Sequence, residues 1–102
     1  KNIEQRPRHL VMGFVADKDL GHIFDLIDEV KDDVTLWFSG PSSQRGLPAS
    51  ELAAKAAERG LTGYVEQDVN VAVSRAREMA GDEGFVLIAG SNFLIADLQK
   101  IK

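Results

Sequence analysis

The chain has no cysteine, so neither a disulfide framework nor a thiolate metal site is open to it. That absence fits a reducing compartment. It has no block of lysine and arginine either. The formal net charge is −4, with acidic and basic residues interspersed, so nothing resembles a phosphate-tracking patch and nucleic acid is not an expected partner. The apolar runs are too short to span a bilayer, and no signal-peptide pattern opens the sequence, so no membrane partner is expected. There is no initiator methionine; Lys1-Asn2-Ile3-Glu4-Gln5 reads as the start of a piece of something larger.

Several motifs are missing as well. No G-x-x-x-x-G-K-S/T segment is present to cradle phosphates, and no G-x-G-x-x-G follows the first apolar run, as a dinucleotide fold requires. His9 and His22 have no partner at metal-ligand spacing, so each reads as structural or exposed and no metal site is expected. A G-x-S-x-G nucleophile elbow is also absent. A receiver-like module is disfavoured, since the first strand has no acidic pair at its end before Asp17.

What remains is a clear alternation of periods over 102 residues, one domain by length. His9-Leu10-Val11-Met12-Gly13-Phe14-Val15 is a nearly continuous apolar run, as expected of a strand buried on both faces. Leu20, Ile23, Phe24, Ile27 and Val30 then form one stripe of an amphipathic helix. Val34-Thr35-Leu36-Trp37-Phe38 is rich in β-formers and reads as the second strand. Ser39 to Gly46 reads as a polar loop, with Pro48 in the first turn of a helix that buries Leu52, Ala53, Ala56 and Ala57 and stops at Gly60.

Gly63-Tyr64-Val65-Glu66 is the third strand. Asp68 is the N-cap of a helix packing through Val69, Ala72, Val73, Ala76 and Ala80, ended by Gly81. Phe85-Val86-Leu87-Ile88-Ala89 is the fourth strand. After the turn at Gly90-Ser91-Asn92, a last helix carries Leu94, Ile95, Leu98 and Ile101. This β-α repetition predicts an α/β, three-layer, Rossmann-like, doubly wound and mostly parallel sheet with helices on both faces. A strand order of 3-2-1-4 makes the loops after the first and fourth strands neighbours, at the edge where such folds bind ligands.

Those two loops have chemistry to offer. Lys18 stands between Asp17 and Asp19 at a helix start, where a cation meets the positive dipole end. Either an aspartate caps the helix and Lys18 is a solvated charge, or Lys18 and the free N–H groups together await an anion. Ser91 is likewise either an N-cap beside a permissive Gly90 or an anion ligand with the amides that follow. Arg45, beside Gly46, is an anion clamp or simply exposed. From the residues alone, the chain is an anion-binding α/β domain without catalytic equipment of its own.

Three of these segments resemble one family. Leu10 to Asp19 is similar to the strand-to-helix motif of the C-terminal domain of folylpolyglutamate synthase/dihydrofolate synthase, the folate branch of the Mur ligase superfamily. Gly90-Ser91-Asn92-Phe93-Leu94-Ile95 is similar to that branch's closing G-S-x-F/Y-L-V/I motif, and Arg45-Gly46 followed by Pro48 to Leu52 resembles its arginine loop. The resemblance implies an ATP-dependent ligase, cytoplasmic, in which a pteroate or folate carboxylate is phosphorylated to an acyl phosphate. The amino group of L-glutamate then attacks the acyl carbon, and phosphate leaves as the amide forms. It implies that Lys18 binds a glutamate carboxylate with help from Ser91 and from Arg45. Asp17, Asp19, Gly90 and Asn92 would support them.

Residues 1–102 would then be a Mur ligase-like C-terminal domain whose partner is the N-terminal domain that holds most of the ATP, the magnesium and the folate-type substrate. The family's usual D-G-A-H-N segment has no counterpart in Lys1 to Arg8, so the expectation is an N-terminally truncated domain, inactive alone. A Mur-type peptidoglycan ligase domain and a stand-alone anion-binding domain are the alternatives.

Overall fold

The apolar runs pair side by side because each carries hydrophobic residues on both faces. The structure, a computed structural model, describes residues 8–16, 19–41, 46–81 and 84–90. Within them four strands make one sheet: β1 (Arg8–Gly13), β2 (Thr35–Gly40), β3 (Tyr64–Asp68) and β4 (Phe85–Gly90). All three pairings are parallel, as the sequence predicts, and the order is β3-β2-β1-β4, the one that makes the first and fourth loops neighbours. Between the strands run α1 (Gly21–Asp28), α2 (Ala49–Ala57) and α3 (Val69–Ala80). None of the described helices is long and apolar enough to cross a membrane.

The two central strands divide the core by their alternation. Met12, Leu36 and Phe38 project to one face, where they meet Phe24 and Ile27 of α1 and Leu52 and Ala56 of α2. Val11 and Trp37 project to the other and meet Val69, Ala72, Val73 and Ala76 of α3. This is what right-handed crossovers require. The chain moves one way from β1 to β2 to β3, then turns back across the sheet to β4, so α3 must lie on the opposite face. Alanines at 72 and 76, fully buried, let α3 sit close on the ring of Trp37.

The ends of the helices show which local signals succeed. Asp68 caps α3, its carboxylate accepting from the N–H groups of Asn70 at 2.9 Å and Val71 at 3.4 Å. Gly60, at φ 79°, ends the turn after α2, and Leu61 N–H reaches back to the Ala56 carbonyl at 3.0 Å. Arg59 then ties α2 to α1 through an ion pair with Asp25.

Four expectations need correction. Val30 leaves the predicted stripe because α1 ends at Asp28 and the chain turns, leaving Val30 exposed. Pro48 is the N-cap of α2, with extended ψ of 144°, and not a first-turn residue. Ala57 is exposed, and it is Ala49, at the other end of α2, that is buried. Finally, Ser39 and Gly40 belong to β2 and, with Pro41, are buried, so the polar loop begins later than composition suggests. Ser39 is tolerated inside because its hydroxyl donates to the Gln67 carbonyl at 3.1 Å. The helix expected on Leu94, Ile95, Leu98 and Ile101 lies outside the described residues.

Candidate functional site

The order in which strands are added reverses between β1 and β4, and an open α/β sheet forms its ligand crevice beyond the carboxyl ends of the strands at such a point. In this chain the two strands finish together: Gly13 is the register partner of Gly90. Two glycines side by side put no side chain at the head of either strand, so a ligand can approach the backbone there. The first and fourth loops thus leave from adjoining positions.

The second loop is fastened to the first. Val15 forms an antiparallel bridge with Gly46, and Leu47 N–H donates to the Phe14 carbonyl at 2.8 Å. Phe14 and Leu47 are both buried beneath this strap, so their packing holds it. Three loops of the carboxyl edge therefore have their bases drawn to one side of it.

Of the residues singled out from the sequence, Asp19 and Gly90 are described. Asp19 is exposed, and its carboxylate accepts the Gly21 N–H at 3.1 Å, closing the turn into α1. Asp17, Lys18, Arg45, Ser91 and Asn92 lie outside the described residues. Of the points from which they depart, the structure sets Gly46, next to Arg45, against Val15 and sets Gly90, before Ser91, beside Gly13.

Gln67 is the edge residue to which the sequence alone assigns no role. It lies at the end of β3, and its side-chain Oε1 accepts the Ala49 N–H of α2 at 2.7 Å. Pro48 has no side-chain cap to offer that helix, so the bond comes from 18 residues away. Nothing local in the sequence signals such a partner.

On the α3 face, away from this edge, His9 is buried and structural. Its Nδ1 accepts the indole N–H of Trp37 at 3.0 Å, which places the neutral imidazole's proton on Nε2. Burial holds its pKa below the ordinary value of 6.5. Trp37 in turn stacks at 4.6 Å on Tyr64, with the Arg75 guanidinium 6.0 Å from its ring. His22 is exposed.

Among the described residues no three His, Asp or Glu side chains converge as metal ligands.

Comparison with curated proteins and with solved structures returns no match. Comparison with protein families does: residues 1–92 match the Mur ligase glutamate ligase domain. The match covers most of the chain and is consistent with the α/β architecture and the parallel four-stranded sheet of the described residues. The chain belongs to the Mur ligase family of ATP-dependent C–N ligases, as a C-terminal domain of that type.

Proposed function

We propose that this domain forms the amino-acid side of a folylpolyglutamate or dihydrofolate synthase, holding L-glutamate while its amino group attacks the acyl phosphate of a folate or pteroate carboxylate. The observation that supports it best is the pairing of Gly13 with Gly90, because the two strands that lead to Lys18 and Ser91 end there in register. The family's domain name, with its reference to glutamate ligation, supports the choice of amino acid. The motif match at Asp17-Lys18-Asp19, Arg45-Gly46 and Gly90-Ser91 supports the folate branch.

The chemistry asked of these residues is modest. Glutamate must be bound by its carboxylates so that its amine, as the free base, is directed at the acyl carbon. The Lys18 ammonium pairs with a carboxylate, the Ser91 hydroxyl or backbone N–H donates to it, and Arg45 offers a second cation. Holding the nucleophile this way converts a two-body encounter into a positioned one, and none of the three residues needs to exchange a proton. The phosphoryl transfer, with ATP and magnesium, belongs to the N-terminal domain in this reading.

The experiment is steady-state kinetics on the intact ligase that carries this domain. Lys18→Ala removes a charge-assisted bond, so the KM for glutamate should rise by about tenfold or more while that for ATP stays put. An unchanged glutamate dependence removes Lys18 from the site. Turnover of a muropeptide acceptor in place of pteroate or folate removes the folate assignment.

A further inference from the structure

The carboxyl edge contains a strut that the residues proposed to touch glutamate do not explain. β2 and β3 run in register at Trp37 with Tyr64 and at Phe38 with Val65, then slip, so that Gly40 faces Asp68. Ser39 alone on β2 therefore stands opposite Glu66 and Gln67 on β3. The extra residue is a bulge, and a bulge re-aims the side chain it carries. Here it carries Gln67.

Three contacts follow from that placement. The Gln67 carbonyl accepts the buried Ser39 hydroxyl at 3.1 Å, which anchors the bulge to β2. Its Oε1 accepts the Ala49 N–H at 2.7 Å, satisfying a first-turn donor of α2 that Pro48 cannot. Its amide nitrogen lies over Gly40, where a Cβ would come within 2.7 Å of it and within 2.8 Å of the Leu47 carbonyl. Leu47 is the residue that donates to Phe14, and its neighbour Gly46 bridges Val15. A local Ser, Thr or Asp at position 48 would cap α2 as well, but it would not join β3 to the strap on β1.

We propose that Gln67 is a positioning residue for the amino-acid edge: it sets where the stem Gly46–Ala49 stands relative to the end of β1. This rests on the reading of that edge as the glutamate side of the ligase. Without the amide, α2 keeps its core contacts through Ala49, Leu52 and Ala56, so the fold survives. The stem loses its tie to β3, and the edge must be ordered at the moment glutamate binds, which weakens binding.

The test is kinetic, on the intact ligase, with glutamate varied at saturating ATP and acceptor. Gln67→Ala should raise the glutamate KM about fivefold, the equivalent of one ordinary hydrogen bond, with kcat and the ATP KM within about twofold. Gln67→Glu keeps an acceptor oxygen for Ala49 and should restore the KM. Gln67→Met, which keeps length without an acceptor, should behave as the alanine variant and serves if that one does not fold. Lys18→Ala is measured alongside. If Lys18→Ala raises the glutamate KM and Gln67→Ala does not, the positioning role is overturned and the site reading stands. If neither does, both are overturned. A rise shared equally by ATP and glutamate, or no recovery in Gln67→Glu, also overturns the role, since either would mark general loosening.

Discussion

Gly63 gives the most direct test of the fold, because what it avoids is backbone. A Cβ built at this position would lie 2.2 Å from the Leu36 carbonyl oxygen and 2.8 Å from both the carbonyl carbon and the Cβ of Leu36. An unbonded carbon and oxygen need about 3.3 Å, so Gly63→Ala must push β3 roughly 1 Å away from β2. N–H···O bonds of about 2.9 Å do not survive that displacement. The casualties are the pairings of Trp37 with Tyr64 and Phe38 with Val65, and the stacking of Trp37 on Tyr64 at 4.6 Å. Two backbone bonds at about 1 kcal/mol each and a ring pair worth about 1 kcal/mol give a loss of about 3 kcal/mol.

Trp37 is the only tryptophan and reports on this pair of strands directly, so urea unfolding followed by its fluorescence is the natural assay. Gly60 is the comparison. Its φ is 79°, and the nearest atom to a Cβ there is Lys31 Nζ at 3.9 Å, so Gly60→Ala costs only backbone strain, about 1 kcal/mol. Asparagine should relieve much of that strain at 60 and none of the clash at 63. The native fluorescence of Gly63→Ala should also shift as Tyr64 leaves the indole. If Gly63→Ala costs no more than Gly60→Ala, β3 is not seated on β2 as described, and the bulge at Gln67 falls with it.

Two smaller perturbations check the edges of the same framework. Asp68→Ala removes both capping bonds of α3 and should lower stability by about 1 kcal/mol in urea titration, whereas Asp68→Asn keeps an acceptor and should lose far less. His9 predicts an acid weakness. Its pKa is lowered in the fold by burial, so the unfolded chain binds the proton more readily. The stability due to neutral His9 is complete above the ordinary value of 6.5 and is lost as pH falls from there toward the folded pKa. The proton would land on Nδ1, opposite the indole N–H it now accepts. His9→Gln should flatten the change in urea midpoint between pH 7.5 and 5.5; an equally steep change in the variant would place the titration elsewhere.

Much of the architecture is legible in the sequence because its signals are local. Asp68, the stripe from Val69 to Ala80 and Gly81 form an N-cap, a face and a stop within one short stretch of chain, and each acts where the pattern puts it. β3 is harder to read. It is an edge strand whose Tyr64 and Val65 are half exposed, so burial leaves little imprint on its composition. Ser39 and Gln67 are harder still. Each looks like loop material, and each is placed by a partner distant in sequence, 28 residues for the Ser39 hydroxyl and 18 for the Gln67 amide. Periodicity carries no record of such pairs. The candidate site was legible as an edge: topology fixed which loops meet, and the Gly13 and Gly90 pairing shows how closely two of them begin. Lys18, Arg45 and Ser91 were legible only as residue types at those departures.

That division has a physical basis in how the edge is built. Its anchor points are backbone or nearly so: Gly13 beside Gly90, Val15 bridged to Gly46, Leu47 on Phe14, Gln67 on Ala49. Such contacts tolerate few substitutions, because glycine at 40 or a bulge at 67 answers to a distance of under 3 Å. None of these anchor contacts among the described residues uses the cations and hydroxyl proposed to meet glutamate. A change at Lys18 should therefore move binding while leaving unfolding unaltered. A change at Gly40 should move both, since a Cβ there meets the Leu47 carbonyl before any ligand arrives. The two kinds of residue lie only a few positions apart in the chain, and their different responses to substitution are what separate the frame of the edge from its chemistry.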